Sequence, residues 1–173
     1  MRIAISGMSG CGNTTVSTLL SKRLGYGLVN FTFRQMATER GIDFWKFCAM
    51  AEKDDSIDME LDCRQVEMAM AMDNCILGSR LAIWMLKEAD FRVYLYASAA
   101  ERAKRVLNRE GGDFNTRYDQ TVGRDNHDTA RYKRIYGIDN TDNSIADIVI
   151  DTEGKTPELI VDIIMEAIEK KFK

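Results

Sequence analysis

Apolar residues along this chain alternate between short solid runs and helical spacings of three and four, the pattern of strands and amphipathic helices in turn. Arg2-Ile3-Ala4-Ile5-Ser6 reads as a short buried strand, and over residues 14–24 Val16, Leu19, Leu20 and Leu24 share one helical face that stops at Gly25. Leu28-Val29-Asn30-Phe31 predicts a second strand. Two helices, 34–40 and 43–53, are split at Gly41, and Ile57, Leu61, Met68 and Met72 line a third over 57–72. Cys75-Ile76-Leu77-Gly78 and Phe91-Arg92-Val93-Tyr94-Leu95-Tyr96 are the next strands, with a helix over 81–86 between them. Ser98-Ala99-Ala100-Glu101 has the form of a capping box opening a helix to Arg109, broken at Glu110-Gly111-Gly112. A polar, charged segment fills 113–137. Ala146-Asp147-Ile148-Val149-Ile150 is the last strand, and Thr156-Pro157 caps a final helix through Ile160, Ile163, Ile164, Ala167 and Ile168. Strands alternating with helices predict an α/β fold, a five-stranded parallel sheet with helices on both faces and a ligand crevice at the carboxyl ends of the strands.

The turn between the first strand and the first helix carries the chemistry. Gly7-Met8-Ser9-Gly10-Cys11-Gly12-Asn13-Thr14 fits the phosphate-loop pattern G-x-x-x-x-G-K-S/T everywhere except Asn13, which stands where lysine is expected. Glycines let the backbone turn its N–H groups toward phosphate oxygens, and the Thr14 hydroxyl can hold a magnesium ion. A helix N-terminus attracts phosphate with or without the lysine.

Composition narrows the setting. With 173 residues, 45% hydrophobic and 29% charged, the chain can bury one sizeable core, and a single domain over 1–173 is expected. A net charge of −3 argues against a general nucleic-acid or anionic-membrane surface but leaves room for a local arginine cluster. The four cysteines, Cys11, Cys48, Cys63 and Cys75, show no C-x-x-C pairing, which suits reduced thiols in the cytoplasm and argues against structural zinc. His127 lies in a polar run and reads as solvent-facing. No run of about 18 apolar residues suggests a membrane span or leader.

The arginines add a second signal. Arg124, Asp128 and Arg131 fall at i, i+4 and i+7, so a helix would place them on one face, and Arg117 extends that face. A solvated helix with internal ion pairs would look the same. Glycines bound the segment, however, and its poverty in apolar residues suits a mobile lid. Arg80 follows a strand end, where a βα loop should face the crevice. Arg34 and Arg64 could bind a ligand or pair with Glu39 or Glu60 at the surface.

Taken together, these motifs resemble the short archaeal type of cytidylate kinase over nearly the whole chain. The resemblance rests on the N-terminal phosphate loop, Phe33-Arg34-Gln35-Met36-Ala37, Asp62-Cys63-Arg64-Gln65, Gly78-Ser79-Arg80-Leu81-Ala82 and, most specifically, Arg124-Asp125-Asn126-His127-Asp128-Thr129-Ala130-Arg131, which is similar to the R-D-x-x-D-x-x-R lid of cytidylate kinases. Arg131-Tyr132-Lys133-Arg134-Ile135-Tyr136-Gly137-Ile138-Asp139 and Val149-Ile150-Asp151-Thr152 look like the archaeal branch. The generic loop and the alternating elements would fit adenylate, shikimate or gluconate kinases equally.

The resemblance implies a P-loop NTPase-like three-layer fold: a core of 1–30, 74–110 and 145–173, an acceptor-binding helical insertion at about 31–73, and a lid at about 111–137. It implies transfer of the γ-phosphoryl group of ATP, with Mg²⁺, to CMP and its deoxy form dCMP, by a monomer. ATP would lie on Gly7, Met8, Ser9, Gly10, Cys11, Gly12, Asn13, Thr14 and Thr15, with Mg²⁺ on Thr14. Arg34, Arg64 and Arg80 would hold the acceptor. Arg124 and Arg131 would close over the phosphates, and Asp128 would touch the acceptor ribose or orient the arginines beside it.

Three features depart from the family. Asn13 brings no positive charge, and losing one preorganised donor commonly costs about a hundred- to a thousand-fold in rate. The link from Leu28 to Arg34 is about two residues shorter than the family's S-A-G-x-x-F-R stretch. The family's E-G-R is here Gly78-Ser79-Arg80, without the carboxylate. A catalytically weak nucleotide-binding pseudokinase, or another small P-loop metabolite kinase, is the alternative, and a lid arginine could supply the missing charge.

Overall fold

The computed structural model describes all 173 residues apart from the side chain of Trp45. In it the chain runs β1 (Arg2–Gly7), α1 (Asn13–Leu24), β2 (Gly27–Val29), α2 (Phe33–Glu39), α3 (Phe44–Ala51), α4 (Asp55–Met70), β3 (Cys75–Gly78), α5 (Ala82–Met85), β4 (Phe91–Tyr96), α6 (Ala99–Glu110), α7 (Phe114–Tyr136), β5 (Ile148–Asp151) and α8 (Pro157–Phe172). The apolar runs pair, all in parallel, in the order β2-β3-β1-β4-β5. The solid runs of β1 and β4 occupy the interior of the sheet, where both faces are covered, as parallel sheets require.

Alternation along β1 assigns its two faces. Ile3 and Ile5 join Val16, Leu20, Val161 and Ile164 beneath α1 and α8, while Ala4 joins Ala69, Leu77, Ile83 and Leu86 beneath α4 and α5. Phe31, Met36, Phe47, Ile57 and Leu61 make a separate small core inside the helical stretch α2–α4. Arg80, after β3, and the loop after β1 therefore emerge at the same carboxyl-terminal edge of the sheet.

The expected elements are all present, with shifts at the edges. β2 ends at Val29 rather than Phe31, because Val29 pairs with Leu77 and its partner strand β3 runs out at the next residue, Gly78. β5 begins at Ile148 rather than Ala146; Ala146 instead closes a turn on Asn143 O at 3.0 Å. The capping box at Ser98 is half formed. The Ser98 hydroxyl accepts from Glu101 N at 3.3 Å, but Glu101 turns to Arg105. A complete box, which sequence reading did not single out, joins Thr32 and Gln35 at the start of α2.

The charged segment departs furthest from expectation. It is one continuous helix of 23 residues, packed on α6, with Thr121, Asp125, Asp128 and Tyr132 buried. Polar side chains, rather than apolar ones, form its inner face. Among the described residues no helix is long and apolar enough to cross a membrane.

Candidate active site

The loop after β1 is shaped from both sides. Gly10 and Gly12 take φ of 86° and 101°, the left-handed region that glycine adopts without strain. Arg102 of α6 donates to Ser9 O at 3.0 Å, and Arg105 donates to Gly10 O at 3.2 Å and Cys11 O at 3.3 Å. With successive loop carbonyls drawn outward to guanidinium groups, the loop is left to offer N–H groups to an anion. Thr14 and Thr15 are exposed in the first turn of α1.

Asn13 does not point outward. Its Nδ2 donates to Gly7 O at 2.7 Å, stapling the two ends of the loop, while its Oδ1 is buried without a partner. The β3 end is equally closed to a larger side chain. A Cβ on Gly78 would lie 2.3 Å from Ser17 Oγ, so the glutamate of the family pattern has no room here. Among the described residues, no group of three or more His, Cys, Asp or Glu side chains could hold a metal. The Thr14 hydroxyl therefore fits Mg²⁺ only in company with the nucleotide's own phosphate oxygens.

Beside the loop is a cleft of about 310 Å³, bounded by Cys11, Gly12 and Thr15, by Glu101 and Arg105, and by Gly154–Pro157. Arg105 is fixed there at every edge. Besides the loop carbonyls it donates to Glu101 Oε1 at 3.1 Å and to Thr152 Oγ1 and O, both at 3.0 Å. Sequence reading missed Arg102 and Arg105. Their i, i+3 spacing on a helix that starts directly after an interior strand was the available signal.

On the other side of the loop, α7 and the turn after β3 gather charges. Arg80 pairs with Asp128, which also accepts from Arg131 Nη2 at 3.2 Å. Sequence reading grouped Asp128 with Arg124 and Arg131; its carboxylate is held between the guanidinium groups of Arg80 and Arg131. Burial works against the charge on Arg80, but Tyr132 and Asp128 beside it outweigh that and raise its pKa. Arg131 Nε also lies 3.1 Å from Asp58 Oδ2, an ion contact without hydrogen-bond alignment. Burial pushes Asp58 up to about 6 against the pull of Arg131, and pushes Asp62 up to about 6 although the Tyr136 hydroxyl donates to it at 2.7 Å.

Arg34 is exposed and lies over the Phe44 ring at 3.9 Å; its charge, with those of Arg124 and Arg131, bears on half-buried Cys48. Arg64 is not with them. It pairs with Glu39 at 2.7 and 3.3 Å and covers Phe31, the surface arrangement that was its other reading. His127 is exposed.

Arg102 and Asp125 form the most buried ion pair, bidentate at 3.1 and 2.6 Å with side chains 4% and 11% exposed. That pair ties the polar helix α7 to α6 and, through Arg102, to the loop after β1. Asp125→Ala should lower stability by about 3 kcal/mol or more, since it leaves Arg102 buried and unpaired, whereas Arg124→Ala at the next position should stay within about 0.5 kcal/mol. Urea denaturation of the two variants makes the comparison; equal losses would contradict it.

Asp62 gives a pH signature. Its pKa rises on folding from 3.8 to about 6, so the folded state favours the protonated form. The stability cost of its charge is therefore absent below pH 3.8, grows as pH rises, and is complete above about 6. Asp62→Asn should raise stability at pH 7.5 by about 1–2 kcal/mol and by much less at pH 4.5. A gain that is the same at both values would show that the carboxyl titrates normally.

The cytidylate kinase-like family model matches residues 2–154. Cytidylate kinase 2 of Borrelia garinii subsp. bavariensis is 41% identical over 99% of this chain and 98% of its own length. The cytidylate kinase of Methanococcoides burtonii is 39% identical over 98% and 97%. Among solved structures, shikimate kinase from Acinetobacter baumannii aligns with a TM-score of 0.64 at 16% identity, covering 99% of this chain and 95% of its own. Deoxyadenosine kinase from M. mycoides aligns with a TM-score of 0.60 at 20% identity, covering 98% and 100%. These likenesses show a P-loop kinase fold.

Proposed function

The chain belongs to the cytidylate kinase-like family, and from that membership and the geometry of its crevice we propose that it is a nucleoside monophosphate kinase that transfers the γ-phosphoryl group of ATP to CMP, and to dCMP. The observation that carries this reading is the pairing, at one edge of the sheet, of a loop whose carbonyls are drawn outward with two arginines, Arg80 and Arg131, that share the carboxylate of Asp128.

The donor base takes the cleft beside Arg105, stacked on its fixed guanidinium plane, and the triphosphate lies along residues 7–15. Magnesium enters as the ATP complex, takes the Thr14 hydroxyl as its protein ligand, and neutralises phosphate charge. The acceptor phosphate sits against Arg80 and Arg131, with Arg34 at its outer side, and Arg64 braces Phe31 rather than the ligand. A loose phosphoryl-transfer transition state asks for alignment and positive charge at the equatorial oxygens, and guanidinium forks, charged at any working pH, supply both. Asp128 fixes the angle between Arg80 and Arg131, so the acceptor phosphate meets a preset pair of donors. α7 acts as the lid over α2–α4, the acceptor-binding region. Four free thiols suit a reducing cytoplasm, and we read the working form as a monomer.

A coupled assay with ATP, magnesium and a panel of CMP, dCMP, UMP, AMP, GMP and shikimate should give turnover with the cytidine nucleotides first. Turnover with shikimate or AMP ahead of CMP would overturn the substrate assignment. Arg80→Ala should weaken use of CMP by about a hundred-fold or more, by loss of a charge-assisted contact formed at a partly desolvated site. Unchanged KM and kcat would leave Arg80 as a structural partner of Asp128 alone.

A further inference from the structure

The loop of this chain contains no cation, since Asn13 is turned back onto Gly7 O. The arginines around it are nearly all committed. Arg102 and Arg105 are bound to loop carbonyls and to Asp125 and Glu101, Arg80 and Arg131 share Asp128, Arg117 reaches Glu110, and Arg134 reaches Asp55. Among the described residues, Arg124 is the one arginine of α6, α7 and the β3 turn for which the structure records neither an ion pair nor a hydrogen bond. It is exposed, and the charge of Arg80 close by lowers its pKa. Two guanidinium groups near each other, only one of them held in an ion pair, form a site with surplus positive potential that an anion would relieve.

The position of Arg124 is fixed by its neighbour. Asp125 is gripped in two places by Arg102, and the same Arg102 Nη1 that meets Asp125 Oδ1 at 3.1 Å donates to Ser9 O at 3.0 Å. One buried guanidinium thus joins the phosphate loop to the residue next to Arg124. We propose that Arg124 supplies the positive charge at the donor's β- and γ-phosphates that position 13 lacks, with the Arg102–Asp125 pair as the device that positions it. The proposal rests on the kinase reading above and adds which side chain stands in for the loop cation. Arg131 lies two turns further along α7 and stays with the acceptor phosphate, so the two lid arginines divide the reacting groups between them.

Exchange of charge between the two positions tests this. Arg124→Ala should lower kcat by about a hundred-fold and weaken binding of a fluorescent ATP analogue with magnesium. Asn13→Lys in the otherwise unaltered protein should lower kcat several-fold, as the new ammonium crowds Arg124 and the Gly7 staple is lost. The same Asn13→Lys change in the Arg124→Ala background should instead raise kcat ten-fold or more and restore analogue binding, while in an Arg80→Ala background, where analogue binding is intact, it should leave kcat unrestored. This reversal of sign is something that a structural role for Arg124 would not produce. A double variant no better than Arg124→Ala in both readouts, or a ten-fold gain from Asn13→Lys alone, would overturn the proposal. The binding comparison involves no acceptor, so a protein that leaves CMP unphosphorylated would defeat the substrate assignment and still decide the role of Arg124.

Discussion

The arrangement of the site depends on one buried ion pair, Arg102–Asp125. Taking both charges out of water costs several kcal/mol each unless geometry and further hydrogen bonds offset it. Here the contact is bidentate, and two further donors of Arg102 reach Ala97 O at 3.1 Å and Ser9 O at 3.0 Å, so four of the five N–H groups of that guanidinium have a partner. The constraint that results is geometric. β4, the phosphate loop and α7 are joined through one planar group, and the spacing of a helix then sets where Arg124, Asp128 and Arg131 stand.

Around that anchor, carboxylates serve as braces. Asp128 sets Arg80 against Arg131, and Asp58 and Asp62 of α4 face Arg131 and Tyr136 of α7, so the helical stretch after β2 and the long helix after α6 meet through polar side chains. Such an interface can separate without exposing an apolar core, which suits the lid role proposed for α7. The raised pKa values of Asp58 and Asp62 are the mark of that compromise: the carboxyls are buried among too few donors to make their charge comfortable.

Much of this was legible in the sequence. β1, the loop and α1 are encoded locally, by a solid apolar run, glycines at fixed spacing and an amphipathic repeat, and local codes survive folding. Arg124, Asp128 and Arg131 were legible because helical spacing alone brings them together. Arg102 and Arg105 left only their i, i+3 spacing after an interior strand as a signal, since their partners Ser9, Gly10, Cys11 and Asp125 come from other elements. The direction of Asn13 was hidden for a related reason: whether a short amide points at ligand or back at its own loop is decided by the 2.7 Å contact with Gly7 O, which no spacing rule contains. Arg64 was ambiguous between ligand and Glu39 until the packing of α2 against α4 placed the carboxylate within reach.

If Arg124 stands in for the loop cation, the positive charge at the donor phosphates comes from α7 and not from the loop. A crystal structure with a bisubstrate analogue, adenosine joined through a phosphate chain to cytidine, tests it directly. Arg124 should then lie within hydrogen-bonding distance of the oxygens at the β- and γ-phosphate positions, with Arg102 still bidentate on Asp125 and the Asn13 amide still on Gly7 O. Arg124 turned to solvent, with Asn13 swung round onto the phosphates, would contradict it.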